Sequence, residues 1–566
     1  MRFTAACVQL ASYPDEQAGL RACVRLLEQA VRQGARLVVF PECTPRARGH
    51  VSREEAYTQA MTADSPFVAA LREKARELGV YLAVNVNERG PAPKVFATTF
   101  LYSPRGEIVG RYSKHVLFGR QGEVFAQGET GFPVFTTDLG RVGLYVCMDG
   151  LIPEPPRCLA VQGAQILINC LYSGGVDEGR FHVVTRALEN HVWVLSANKV
   201  GTHESGVPFA GESAVITPGG SVLAQATPDQ EEVVLAEIRT DLADPPGAAF
   251  PGDSLAPRHP DRARRRPECY DLLVQPTELL PVVKRGGGEE AGLPDALRVG
   301  AVQVPRGPDP QTACQTALAL CERAAREGLQ LLVLPELFLF DREKLVRGVR
   351  EAVQISQEAL GRFQALATTY ALHLALNLVE HQGGRSFSTL FLIGDQGAVL
   401  GRYRQVHLAG PEQSWATPGE ELTVVSTRLG EIGLLIGVDA LVPEAARVLG
   451  CLGADVILHA GSGEPAGVAL LLTERAAENH CHVISAAPAG AAAQAGSRII
   501  PVERYPTTPH WRIRWPETRE LPPTESGLLT ATLDPRVARD KQIAPATDLF
   551  RNRTPHSYHP LVQGRE

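Results

Sequence analysis

VGLYVCMDGLIPEPPR, residues 142–157, returns as IGLLIGVDALVPEAAR at 432–447, and this pair of lines decides how the chain is built. Two further blocks precede each copy in the same order. LVVFPE (37–42) and GRYSKHVL (110–117) stand in the first half, LLVLPE (331–336) and GRYRQVHL (401–408) in the second. The tails also correspond, RRPECYDLLV (265–274) with RTPHSYHPLV (553–562). A period of roughly 290 residues marks a duplication, so the 566-residue chain reads as two large, similar domains. PVVKRGGGEEAGLPDA (281–296), rich in Gly, Pro and charge, reads as the linker between domains at 1–280 and 297–566. The Pro- and Gly-rich stretch 240–260 lies before the first matched tail and reads as a surface excursion.

Composition excludes several classes. With 44% apolar and 21% charged residues the chain has a globular profile. A formal charge of −7 gives no electrostatic reason to expect a nucleic acid or an anionic membrane as partner. The start, MRFTAACVQL, reads as a strand rather than a secretory leader, and no apolar run approaches the ~20 residues of a membrane span. Eleven scattered cysteines suggest free thiols in a reducing compartment, and without a CxxC pair no zinc or other metal site is expected. The expectation is a cytoplasmic protein.

Each half alternates short β-rich runs with amphipathic helical stretches, the rhythm of a layered α/β domain. In the first half strands are expected at 4–10, 37–40, 80–86, 94–103, 107–112, 142–147, 165–170 and 191–198. Helices are expected at 16–34, 153–163 and 179–190. PRG (104–106) is a hairpin turn, which makes the sheet mixed.

Three residues sit where such sheets build their sites, at carboxyl-terminal strand ends: Glu42, Lys114 and Cys147. A thiol needs a base, and a sheltered carboxylate can serve. The oxyanion of a tetrahedral acyl intermediate needs a fixed positive partner, which an ammonium supplies. Together the three could open an amide-like carbon–nitrogen bond through a thioester.

These residues resemble the carbon–nitrogen hydrolase (nitrilase) superfamily, and the resemblance runs through nearly the whole of both halves. It rests on Pro41-Glu42, Arg111-Tyr112-x-Lys114, Cys147-x-Asp149, Pro153-Glu154-x-x-Arg157, Arg186-x-x-Glu189-Asn190 and FAGESAVITPGGSVLA (209–224). It implies α/β domains, each a four-layer α-β-β-α sandwich. It also implies Cys147 as nucleophile, Glu42 as general base and Lys114 as oxyanion partner, with the Met148 backbone N–H as second donor. The family carries a further glutamate about seven residues before a glycine, and here that count from Gly128 lands on Gln121. Either Glu123 fills the role through a local shift, or the site manages with an amide. The second copy keeps the usual spacing, from Glu412 to Gly419.

Several residues read more plainly. Glu154 and Arg157, repeated as Glu444 and Arg447, look like helix-start and packing residues, and His115 looks structural. SGGVDE (173–178) is similar to the pyrophosphate loop of ATP-cleaving amide-forming enzymes but lacks its final serine, so a loop at the rim of the site is the favoured reading.

In the second copy Lys114 becomes Gln405 and Cys147 becomes Gly437, while Glu42 persists as Glu336. Residues 297–566 are therefore expected to be a non-catalytic twin, with a raised carboxyl pKa at a lysine-free Glu336. The twin is expected to dock on the first half as an intrachain pseudo-dimer, or to have become a ligand sensor. Further homo-oligomerisation is left open. The whole reads as a cofactor-free thiol hydrolase of a small linear amide or carbamoyl compound. The rivals are an acyltransferase using the same thioester and a binding or regulatory protein with a vestigial site. An ammonia-feeding fusion is disfavoured, since the second half is another copy.

Overall fold

The computed structural model describes residues 1–13, 15–45, 52–175, 177–203, 206–243, 265–285, 292–306, 309–463, 466–490, 493–504 and 515–564. The chain divides into two compact units. The first gathers the described residues within Met1–Ala256 and Gln542–Leu561. The second gathers those within Pro257–Arg504, Trp515–Lys541 and Val562–Glu566. Each unit thus contains the tail of the other repeat, an exchange that the boundary expected at 281–296 does not capture. The centre of that linker, most of the 240–260 excursion and most of TPRARGH (44–50) lie outside the described residues.

Each unit is a four-layer α-β-β-α sandwich. In the first, one sheet runs in the order Lys199–Val200, Arg2–Ala11, Ala35–Val39, Tyr81–Arg89, Val95–Tyr102 and Ile108–Ser113, with Glu232–Arg239 antiparallel to Arg2–Ala11. The other sheet runs Val222–Gln225, Ala214–Ile216, Trp193–Ala197, Ile166–Cys170, Gly140–Val146 and Val134–Thr137. Every residue of Val95–Tyr102, Ile166–Cys170 and Trp193–Ala197 is buried, as expected of strands covered on both faces. The 104–106 turn closes a hairpin, with Ser103 N–H bonded to Glu107 C=O at 2.8 Å and Gly106 at φ +78°.

The helices form the outer layers. Helix Glu16–Arg32 starts at Asp15, whose side chain accepts from Ala18 N–H, and buries Ala22, Cys23, Leu26, Leu27 and Ala30 along one face. Helix Pro66–Leu78 joins the same core through Phe67, Val68 and Leu71. All eleven cysteines are free thiols. Among the described residues no helix is long and apolar enough to cross a membrane.

The second unit repeats both sheets with one large departure. In place of the helices Arg53–Gln59 and Pro66–Leu78 it has a single 29-residue helix, Arg342–Tyr370, interrupted at Gly348 (φ −118°, ψ 22°).

The exchanged tails occupy equivalent seats. In the first unit, Arg553 Nε donates to Glu154 Oε1 at 2.8 Å with both side chains buried, and its guanidinium lies 5.2 Å from the Tyr558 ring. In the second, Arg265 Nε meets Glu444 Oε1 at 2.7 Å beside Tyr270. Arg157 and Arg447 bond helix-end groups in both units: Asn190 Oδ1 in one and Asn479 Oδ1 in the other, each at 3.3 Å. The packing role expected of these residues matches this arrangement.

Candidate active site

Cys147 lies immediately after the strand Gly140–Val146, at the first position of the tight turn Cys147–Gly150. Its φ of +49° is left-handed, a conformation that costs a side-chain-bearing residue about 1–3 kcal/mol and persists where the surroundings enforce it. Two side chains enforce it here. Asn169, on the neighbouring strand, accepts from Cys147 N–H at 3.0 Å. Asp149 accepts from Val146 N–H at 3.1 Å and from the Tyr112 hydroxyl at 2.7 Å. The other oxygen of Asp149 takes His115 N–H at 3.1 Å and Val116 N–H at 2.8 Å. One buried carboxylate therefore clamps the cysteine turn to the segment carrying Lys114.

Lys114 and Glu42 meet inside the unit. Lys114 Nζ donates to Glu42 Oε1 at 2.9 Å, with side-chain exposures of 0% and 1%. Glu42 Oε2 is buried with no hydrogen-bond partner among the described residues. Burial alone would lower the lysine pKa, but the acidic groups beside it, Cys147 and Glu42, raise it by more, and the net shift is upward. The Cys147 thiol is pushed well above its ordinary value, by burial first and then by Glu178, while Lys114 opposes the shift. The resting group is a neutral thiol, and an attack by sulfur requires a base at hand.

Gln121, and not Glu123, reaches this centre. Gln121 Oε1 accepts from Lys114 Nζ at 3.2 Å and from Phe118 N–H at 3.1 Å. Glu123 is exposed and turned to solvent, where Arg120 binds it at 2.8 Å and lowers its pKa. Its candidacy for the fourth position is corrected by this placement. Met148 follows Cys147 within the same turn. His115 stacks on Tyr112 and lies tilted against Phe132, and burial pushes its pKa down to about 4, a structural imidazole.

The segment after strand Ile166–Cys170 forms one wall. Leu171 C=O accepts Glu42 N–H at 3.1 Å, and Tyr172 N–H faces the Cys147 sulfur. SGGVDE therefore lies along the site, in keeping with the rim reading; Val176 lies outside the described residues. Its last residue, Glu178, is buried and interacts electrostatically with Cys147, Lys114 and Glu42. Sequence reasoning missed Glu178. The available signal was an acid at a helix start, on the strand connection next to the nucleophile.

The corresponding place in the second unit is filled differently. Gly437 keeps the left-handed bend at φ +48°, and a Cβ there would come 2.9 Å from Glu336 Oε1. Gln405 Nε2 points to Ile436 C=O at 3.4 Å. His459 stands where the first unit has Asn169 and binds Gly437 C=O at 2.8 Å. Arg342, from the long helix, donates to Glu412 Oε1 at 2.7 Å and lies 3.7 Å from Glu336 Oε2. Glu336 is thus not left without a cation nearby, since Arg342 stands close to it where the lysine is missing.

The family model described as carbon-nitrogen hydrolase matches residues 4–245 and again 298–539. A nitrilase of Pyrococcus abyssi is 34% identical over 215 residues, 38% of this chain and 80% of that protein. A deaminated glutathione amidase of Synechocystis is 29% identical over 252 residues, 42% of this chain and 92% of its own length. An N-carbamoylputrescine amidase of Arabidopsis thaliana is 26% identical over 263 residues, 42% of this chain and 86% of that protein.

Proposed function

Because the chain belongs to the carbon-nitrogen hydrolase family, we propose that its first unit cleaves the carbon–nitrogen bond of a linear amide or carbamoyl compound through a thioester on Cys147. The observation that carries this reading is the buried Lys114–Glu42 pair at 2.9 Å beside a thiol in a strained turn. Glu42 has one oxygen engaged by the lysine and the other without a hydrogen-bond partner among the described residues, so it can take the thiol proton as sulfur attacks. Lys114 keeps its charge and can stabilise the oxyanion that forms. Collapse of the tetrahedral species breaks the C–N bond, and water then releases the acid from the thioester. The amidase names of two relatives support an amide-type substrate, and the nitrilase name of a third makes nitriles the comparison to run beside it.

The second unit, on this reading, does not turn over. It has no sulfur at Gly437, no ammonium at Gln405, and an arginine between its two carboxylates.

A panel of primary amides, carbamoyl compounds and nitriles, scored by ammonia released, tests the proposal. Turnover of at least one carbonyl substrate is expected, with none in C147A. An acyl adduct on Cys147 should appear by intact mass on rapid quenching. Activity retained in C147A would defeat the mechanism. Acyl transfer to added amines outrunning hydrolysis would favour the transferase.

A further inference from the structure

We propose that Glu178 is a catalytic acid of the first unit, delivering the proton that the departing nitrogen needs and standing in for the carboxylate absent at Gln121. The inference deepens the thiol-hydrolase reading and rests on it. Glu178 opens the π-turn Glu178–His182 that leads into helix Val183–Asn190, and such widened turns gather at functional sites. It is 7% exposed, and its Oε1 has no hydrogen-bond partner among the described residues. An orphaned carboxylate oxygen in the interior is expensive to keep unless something arrives to use it. Its electrostatic neighbours are the groups of the reaction centre, Cys147, Lys114 and Glu42, together with Ser173, Tyr145 and His182.

The two repeats show a reciprocal pattern. The first has Gln121 and Glu178. The second has Glu412 at the position of Gln121 and, counted back from the shared arginines Arg186 and Arg475, Gly467 at that of Glu178. Each unit therefore keeps a second carboxylate, on a different segment of the repeat. In the second unit that carboxylate is bound to Arg342. In the first, burial lifts the Glu178 carboxyl above the usual carboxylate range, against the pull of Ser173, His182 and Lys114, the direction a proton donor needs.

The protons balance over one cycle. The thiol proton passes to Glu42 as the S–C bond forms. When the C–N bond breaks, its electron pair stays on nitrogen, which takes the proton from Glu178 and leaves as ammonia or amine. In the second half, Glu178, now a carboxylate, takes a proton from the attacking water. The departing sulfur recovers its own from Glu42, and both acids are reset.

The test uses the full chain and two substrates with the same acyl group, an amide and a p-nitrophenyl ester, whose leaving group departs without a proton. E178Q should lose about 10²-fold or more in kcat on the amide and far less on the ester, while E178D, which keeps a donor, recovers part of the amide rate. Amide turnover should fall as pH rises through the Glu178 titration, and E178Q should lack that limb. Independently of any substrate, iodoacetamide should alkylate Cys147 at lower pH in E178Q, because a neighbouring acid has gone. Equal losses on both substrates, no loss on the amide, or an unmoved alkylation profile in a folded E178Q overturns the assignment. If the wild type turns over neither substrate while Cys147 still alkylates, the hydrolase reading itself falls, and the acid role with it.

Discussion

At the scale of single residues, Lys114 is the proposed oxyanion partner, and it touches both Glu42 and Gln121 from a fully buried position. K114Q, which installs the residue of the second repeat, should lower kcat by about 10²- to 10³-fold, the loss typical of one oxyanion donor. Steady-state rates on the best amide check it, and a loss under tenfold would remove Lys114 from the oxyanion role. The reverse experiment belongs to the second unit. G437C with Q405K, placed in a C147A background, should remain inactive, because Arg342 still bonds Glu412 and lies near Glu336. Ammonia release by that variant would show that the two losses alone silenced the unit. Glu42, Lys114 and Cys147 were legible in the sequence because each is fixed by the end of a strand. Gln121 and Glu123 could not be told apart in that way. They lie in one helical turn, Gln121–Val124, where two residues amount to about 200° of rotation, so one side chain faces the lysine and the other faces water. Glu178 was hidden because its aim depends on a π-turn, which no local periodicity announces.

At the scale of elements, strand patterns carried most of the fold. The run expected at 94–103 is the strand Val95–Tyr102, and that at 142–147 is Gly140–Val146 followed by the cysteine turn. The long helix Arg342–Tyr370 was not foreseen, and it is the element that delivers Arg342 to the second site. A close approach between segments is what holds Lys114 in place. Gly128 donates its N–H to Lys114 C=O at 2.8 Å, and a Cβ on it would sit 2.1 Å from Ser113 C=O and 2.6 Å from the His115 ring. Backbone cannot yield to that overlap as a flexible side chain could. G128A should therefore destabilise the first unit by about 2 kcal/mol or more and lower activity with it, since the strand end must move. Thermal unfolding and kcat measured together test this; a variant with unchanged unfolding and unchanged rate would refute the steric argument.

At the scale of the whole molecule, the repeats do not coincide with the two compact units. The tails RRPECY and RTPHSY each set an arginine five residues before a tyrosine, Arg265 with Tyr270 and Arg553 with Tyr558, and each finds an equivalent buried glutamate, Glu444 or Glu154. The two seats have the same chemistry and each holds the other repeat's tail, so sequence alone predicted a cut at 281–296 and could not reveal the exchange. The physical consequence is a dependence of the first site on residues 542–561. Arg553 and Glu154 have side-chain exposures of 0% and 1%, so removing the cation strands a carboxylate in the interior, a loss of about 3–5 kcal/mol. R553M should lower the unfolding temperature and the proposed Cys147-dependent activity together, although residue 553 lies in the repeat that lacks the cysteine. E154Q combined with R553M should regain much of the stability, because no buried charge is then left unpaired. A chain ending at residue 296 lacks Arg553 and Tyr558 altogether and should be less stable than the full protein even though it carries every proposed catalytic group. If R553M unfolds at the wild-type temperature, or the truncated chain matches the full one in stability and rate, the exchanged tail is a passive attachment, and the second repeat has lost its structural reason to persist.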